Sequence, residues 1–95
     1  MMSDVMIVGR LSESLDETTR VIEIDRMIPE HGKFVVDKIP VAYWNMEPRS
    51  RFMKANSGTL VVIRGRIQSA AKFGIIIVAE QLAILGQNVL NEIGG

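Results

Sequence analysis

The run from Gly58 to Ser69, Gly-Thr-Leu-Val-Val-Ile-Arg-Gly-Arg-Ile-Gln-Ser, constrains the fold more than any other part of the chain. Its β-branched residues are stiff at the first side-chain torsion and suit a pleated, half-buried surface. A strand is predicted over Thr59–Gln68. Successive side chains on a strand point to opposite faces. Val61, Ile63, Gly65 and Ile67 therefore share one face, expected to line a core. Leu60, Val62, Arg64, Arg66 and Gln68 share the other, which carries Arg64 and Arg66 outward together. Gly65, like Gly9 in an earlier apolar run, sits inside a strand, where glycine permits the sharp coiling or bulge that barrel closure needs.

The rest of the chain supplies partners for this strand. Val5–Leu11 is short, apolar and β-branched, a first strand, and the polar and acidic Ser12–Thr19 is a loop. Arg20–Ile28 alternates Ile22 and Ile24 with Glu23 and Asp25, a half-buried second strand. Pro29-Glu30-His31-Gly32 has turn chemistry. Lys33–Trp44 returns as a third strand with an edge or a bulge at Pro40, which lacks an N–H. Asn45–Ser57 is predicted as a helix of two to three turns, with Asn45 as its cap, Pro48 in its first turn and Gly58 beyond its end. Ser69–Lys72 is a turn. Phe73–Ala79 is a fifth strand, continued after a bend by Gln81–Leu85, and the remaining residues, 87–95, are a short tail. The order is β-β-β-α-β-β. Five strands with a helix between the third and fourth is the order of the OB fold, a Greek-key barrel, and residues 1–86 are expected to form one such domain.

Length and composition agree with one domain. The chain has 95 residues, 47% of them hydrophobic and 23% charged, enough to fill one core and too ordered in character for wholesale disorder. It has 11 Lys plus Arg against 11 Asp plus Glu. Net charge therefore exerts no pull toward nucleic acid, and a phosphate-binding surface has to arise from how the charges are distributed. The absence of cysteine removes disulfides, thiolate metal sites and cysteine nucleophiles. The N-terminal apolar run is too short for a signal peptide or a membrane span, so a cytoplasmic protein is expected.

Four segments carry a resemblance. Val8-Gly9-Arg10-Leu11 resembles the first strand of bacterial single-stranded-DNA-binding proteins. Ile39–Trp44 resembles that family's third strand, which ends in an aromatic before the helix. Asn56-Ser57-Gly58 with Leu60–Ser69 is similar to its helix exit and fourth strand. Ile77–Leu85 is similar to its closing strand, and also resembles primosomal replication protein N, a dimeric relative of the fold. The resemblance spans roughly residues 4–86. It implies an OB fold, binding of single-stranded DNA with little sequence preference, and stacking aromatics near Trp44 and Phe73. It also implies association through the first strand. The family's acidic C-terminal tip has no counterpart in Asn91-Glu92-Ile93-Gly94-Gly95.

Sequence-tolerant binding of single strands needs rings on which bases stack and cations that neutralise phosphates. In the third strand Lys38, Ala42 and Trp44 share the face opposite Ile39, Val41 and Tyr43, and are expected to point outward. The nucleic-acid-binding set is therefore Arg10, Lys38, Trp44, Arg64, Arg66, Lys72 and Phe73. Each has a plainer alternative. Trp44 is of a type that is often buried, so stacking and packing both stand. Phe73 lies beside a turn, which favours exposure. Arg64 and Arg66 are also ordinary solvated strand-face charges. Phe34 either stacks on the hairpin or caps the core, with the core slightly favoured, and Tyr43 and Phe52 are expected to lie in the core. Arg49, Arg51 and Lys54 are read as the wet side of the helix.

No catalytic constellation, metal site or cofactor is expected. His31 lies alone in a turn. Glu13, Asp16 and Glu17 lack the spacing of a calcium loop. No Gly-rich phosphate loop and no nucleophile motif occurs, so the chain is not read as an enzyme. Leu60–Ile63 and Ile75–Val78 are apolar on both faces, so they are either buried on both or leave a patch that marks an interface; this favours a homo-oligomer, and the resemblance implies a homodimer or homotetramer. The expected partner is single-stranded DNA, with RNA open because the fold accepts either. The competing reading is an assembly module that kept the fold and lost the ligand. A third starts from the terminal diglycine shared with ubiquitin-like sulfur carriers, but in that fold the helix follows the second strand.

Overall fold

In the computed structural model, which describes residues 4–86, five strands close into a barrel. β1 (Val5–Ser14), β2 (Thr19–Ile28) and β3 (Lys33–Tyr43) come first, followed by α1 (Arg51–Lys54), β4 (Leu60–Ala70) and β5 (Gly74–Gly86). The order around the barrel is β1-β2-β3-β5-β4. β1 pairs antiparallel with both β2 and β4, and β3 runs parallel to β5 over Val41–Tyr43. This is the five-stranded OB-fold barrel with its helix between β3 and β4. The helix follows the third strand, not the second as in the sulfur-carrier fold. The predicted tail, 87–95, lies outside the described residues.

Several of the predicted elements shift. β1 runs on to Ser14, because pairing of Ser14 with Arg20 holds its polar end in the sheet. The loop to β2 then shrinks to residues 15–18, where the Asp16 carboxylate accepts from the Thr18 amide at 2.9 Å. The helix is one turn, not two to three, and Ser50 rather than Asn45 caps it. The Ser50 hydroxyl accepts from the Met53 amide, and Ala55 leaves the helix with ψ 145. Asn45 instead turns the chain, its side chain accepting from the Glu47 amide at 3.0 Å, and Met46 has a φ of 53 that no helix contains. The β4–β5 turn moves to residues 71–73, and β5 runs unbroken to Gly86.

The expected bend in β5 is a bulge. Ala79 pairs with Gly65 and Gln81 with Arg64, so Glu80 is an extra residue. Gly65 meets this bulge so closely that a Cβ there would collide with the Val78 carbonyl oxygen. Gly9 is similarly tight, since a Cβ would lie 2.6 Å from the Glu23 carbonyl oxygen.

The inward faces pack Leu11, Ile22, Val41, Val61, Ile63, Ile77 and Ala79 together, and Phe52 closes one end from α1. Tyr43 packs against this cluster. Two expected inward residues are exposed. Ile67 shares the inward parity but is 47% exposed, because β3 meets β5 only from Ile77 onward and Ile67 pairs with Ile77 at that rim. Phe34 is 71% exposed and caps no core. It pairs with Met27 in the β2–β3 hairpin, beyond the point where β1 leaves β2 at Glu23 and before β5 joins β3 at Val41. Conversely, Ala42 is not outward-exposed. It is buried in a second cluster with Ile76 and Val78, against which Ala70 and Phe73 of the β4–β5 hairpin pack.

Candidate nucleic-acid interface

Arg10, Glu23 and Lys38 lie side by side across β1, β2 and β3. Arg64 stands apart on β4, between Met6 of β1 and Gln81 of β5, and Arg66 pairs with Val78. Arg10 pairs with Leu60, so it lies four residues along β4 from Arg64, about 13 Å at strand rise. The predicted cations therefore do not form one cluster.

Most of them are also neutralised within the chain. The Arg10 guanidinium donates to both carboxylate oxygens of Asp25, at 2.9 and 3.0 Å, with Glu23 at 3.9 Å. This pairing raises the Arg10 pKa and holds the Asp25 carboxyl below its ordinary value. Arg64 donates to Asp4 at 2.8 and 3.3 Å, and the bond lowers the Asp4 pKa. Arg66 donates to Glu80 and to Gln68, both at 3.1 Å. The Lys72 ammonium lies 3.8 Å from Asp16, whose carboxyl is lowered first by the Thr18 amide. Lys72 also stands 5.4 Å from the centroid of the Phe73 ring, a cation–π distance. Of the predicted cations, Lys38 has no carboxylate within ion-pair distance among the described residues.

The two rings differ in kind. Trp44 is 57% exposed at the exit of β3, its amide donating to the Ala79 carbonyl at 2.9 Å. Its ring is 6.2 Å from that of Tyr43, which stacks at 6.0 Å on Phe52. Phe73 is half-buried on Ala42, Ile76 and Val78, so only part of its face is open.

Three features lay outside the sequence reading. Arg20 is buried at 3% exposure without a carboxylate. It donates to the carbonyls of Ser12, Phe52 and Ala55, and burial lowers its pKa. Its parity on β2 with Ile22 was a signal that it points inward. An open cleft of about 240 Å³ is lined by Tyr43, Asn45, Ser50, Arg51, Phe52 and Leu82. Phe34, Met27 and Val36 leave an exposed apolar face on the β2–β3 hairpin. His31 is exposed in that hairpin's turn. No group of His, Asp and Glu with metal-binding geometry occurs among the described residues, and no described helix is long and apolar enough to cross a membrane.

No family profile matches the chain. It is 32% identical over 78 residues to a single-stranded DNA-binding protein from Clostridium tetani (strain Massachusetts / E88). That alignment covers 72% of this chain and 54% of the relative, so the chain spans about half the length of the curated relative it matches. Among solved structures, a mitochondrial single-stranded DNA-binding protein from S. cerevisiae superposes with a TM-score of 0.66 at 18% identity, covering 93% of this chain and 99% of that one. An OBody bound to hen egg-white lysozyme superposes at 0.56 and 17% identity, covering 90% and 97%. A small single-stranded DNA-binding protein from Streptomyces coelicolor superposes at 0.52 and 10% identity, covering 96% of each. At these identities the structures speak for the fold, and the curated relative speaks for descent. In sequence and in fold the chain is similar to single-stranded DNA-binding proteins.

Proposed function

We propose that this domain binds single-stranded DNA without strong sequence preference, as a non-catalytic, cytoplasmic module. The observation that carries the reading is Trp44, a large ring left open to solvent at the end of β3 in a chain whose relatives are named for single-stranded DNA. A base stacked on that ring contributes roughly 1–3 kcal/mol whatever its identity. Phe73 offers a second, smaller face, with Lys72 beside it. Lys38 is the strand-face cation ready for a phosphate. Arg10, Arg64, Arg66 and Lys72 reach one only by parting from their carboxylates. RNA presents the same rings and phosphates, so both polymers belong in the test.

Trp44 is the single tryptophan, and its fluorescence reports the contact directly. Addition of oligo-dT at low salt is expected to quench it, and binding is expected to weaken as salt rises. Unchanged fluorescence together with no mobility shift at low salt would remove the reading. Oligo-U and duplex DNA in the same titration decide the polymer.

A second reading has its own support. Met6 is 72% and Val8 50% exposed on the outer face of β1, beside Val62 on β4 and Ala83 on β5. An apolar patch of this kind marks an association surface, and a homodimer or homotetramer built on it is part of the proposal. Tight assembly without any nucleic-acid binding would favour the assembly module over the DNA-binding one.

A further inference from the structure

We propose that the phosphates of the bound strand are met by Arg49, Arg51 and Lys54, in the segment between β3 and β4, more than by the arginines of the barrel face. This rests on the reading of the domain as a single-strand binder and concerns where the strand's charge lies.

The first support is charge distribution. Residues 44–57 hold three cations, Arg49, Arg51 and Lys54, against the one carboxylate of Glu47. The rest of the chain holds eight cations against ten carboxylates. The neutral protein is therefore a basic segment on an acidic body, and a polyanion is drawn to the segment.

The second support is pairing. Arg10, Arg26, Arg64, Arg66 and Lys72 each have a carboxylate within 4 Å, and Arg20 is buried against carbonyls. Arg49, Arg51 and Lys54 are exposed, and among the described residues none has such a partner. Glu47 forms no ion pair with them among the described residues; its carboxylate accepts from the Arg49 backbone amide at 3.2 Å. A phosphate reaching Arg64 has to displace a carboxylate, whereas one reaching Arg51 displaces water.

The third support is placement. Arg51 and Lys54 are three residues apart on α1, hence neighbours on its surface, where like charges repel unless an anion lies between them. Phe52, between them in sequence, is buried and stacked on Tyr43, and Arg20 grips its carbonyl. The turn is thus held firmly. Arg51 and Tyr43 line the same open cleft, and Tyr43 contacts Trp44. A strand with a base on Trp44 therefore starts beside Tyr43, a wall of that cleft.

The test compares variants of the full chain by fluorescence anisotropy of labelled oligo-dT over a range of salt concentrations. Each phosphate contact to a single strand adds about 0.7 to the slope of log affinity against log salt. The triple variant R49Q/R51Q/K54Q is expected to lose about 2 from that slope and to weaken binding at low salt. The double variant R64Q/R66Q is expected to lose less than about half of that. The charge-conserving R49K/R51K/K54R is expected to keep the wild-type slope, and equal melting midpoints show that all variants are folded. Wild-type binding whose slope survives R49Q/R51Q/K54Q, or falls further in R64Q/R66Q, would overturn this placement alone. Failure of the wild type to bind at low salt would overturn the single-strand reading and the placement with it.

Discussion

The guanidinium of Arg20 donates to the carbonyl oxygen of Phe52 at 3.0 Å, tying the first residue pair of β2 to the middle of α1. The same side chain reaches the carbonyls of Ser12 and Ala55, so one cation joins β1, β2 and the end of the helix. A single helical turn is too short to be stable alone. Arg20 supplies donors for carbonyls that such a turn leaves unpaired, and Phe52 supplies the buried anchor. Replacing Arg20 by alanine leaves several of these carbonyls without donors and opens a void. A loss of about 2–4 kcal/mol is expected, read as a lower urea midpoint with unchanged slope. Arg20→Lys is expected to fall between, since one ammonium cannot span the three sites. A midpoint within about 0.5 kcal/mol of wild type for Arg20→Ala would show that the contact is dispensable.

Gly65→Ala tests barrel closure. The added methyl meets the backbone of β5 at Val78, not a flexible side chain, so β4 and β5 must separate where the Glu80 bulge brings them together. Overpacking of this kind costs about 1–3 kcal/mol or more, and a thermal melt is expected to show it. Gly58→Ala, where no atom crowds the added group but φ is 93, is expected to be destabilising for a different reason, backbone strain. Wild-type stability of Gly65→Ala would mean that the two strands are looser than their register implies.

Trp44 and Phe73 are expected to separate binding from folding. Trp44→Ala removes an exposed ring, so stability is expected to change by less than about 0.5 kcal/mol. Affinity for oligo-dT is expected to fall about tenfold or more, the equivalent of one lost stack. Phe73→Ala removes a ring that also covers Ala42, Ile76 and Val78, so both stability and affinity are expected to drop. Parallel melts and titrations read the two effects. Equal losses of stability in both variants would place Trp44 in the core after all.

The strand order and the inward face of β4 were legible because they follow from local patterns. β-branched runs, strand parity and turn residues each act over a few positions, and Val61, Ile63 and Gly65 obey them. What was not legible depends on neighbours far along the chain. Ile67 has the parity for a core and Phe34 the residue type, but Ile67 sits at the rim where β3 joins β5, and Phe34 lies in the hairpin beyond the pairings of β1 and β5. Ala42 lies on an outward face, yet the β4–β5 hairpin folds over it. The pairing of the predicted cations was hidden for the same reason. Arg10 sits fifteen residues from Asp25 and Arg64 sixty residues from Asp4, and their pairing exists only once the sheet register is set. The exposure of Trp44 needed less tertiary information, because it follows directly on β3 where the chain leaves the barrel.

Asp25→Asn tests whether these ion pairs hold the barrel-face cations away from a ligand. It frees Arg10 from its bidentate partner, and affinity for oligo-dT is expected to rise by up to about fivefold at low salt, on the scale of an exposed pair. The carboxylates also define an acid limb. Arginine hydrogen bonds depress the folded-state pKa of Asp4, Asp25 and Asp37. Their contribution is therefore complete above the unfolded-state value, near 3.9 as an approximate reference, and is lost as pH falls through the depressed folded values. Stability is expected to be insensitive to these groups at neutral pH and to decline below about pH 4. Asp25→Asn is expected to soften that decline. An unchanged acid limb together with unchanged affinity would show that the pair is idle in solution.

Val8→Glu tests the association surface. Val8 pairs with Val62, which pairs with Ala83, so the three lie in one row across β1, β4 and β5 on the outer face. Met6 lies two residues along β1 on the same face, and Leu85 adds a further exposed apolar group on β5. Val8 is half exposed in a single copy, so a carboxylate there reaches solvent and the fold is expected to survive. In an assembly that covers this row, the same carboxylate is buried without a partner, at a cost of several kcal/mol, enough to dissociate a typical complex at micromolar concentration. Light scattering is expected to give a larger mass for the wild type and the monomer mass for Val8→Glu, with matching circular dichroism. A monomeric wild type at micromolar concentration would remove the surface as a homo-oligomer interface. An assembly unchanged by Val8→Glu would move it elsewhere, toward the exposed Met27–Phe34 face of the β2–β3 hairpin.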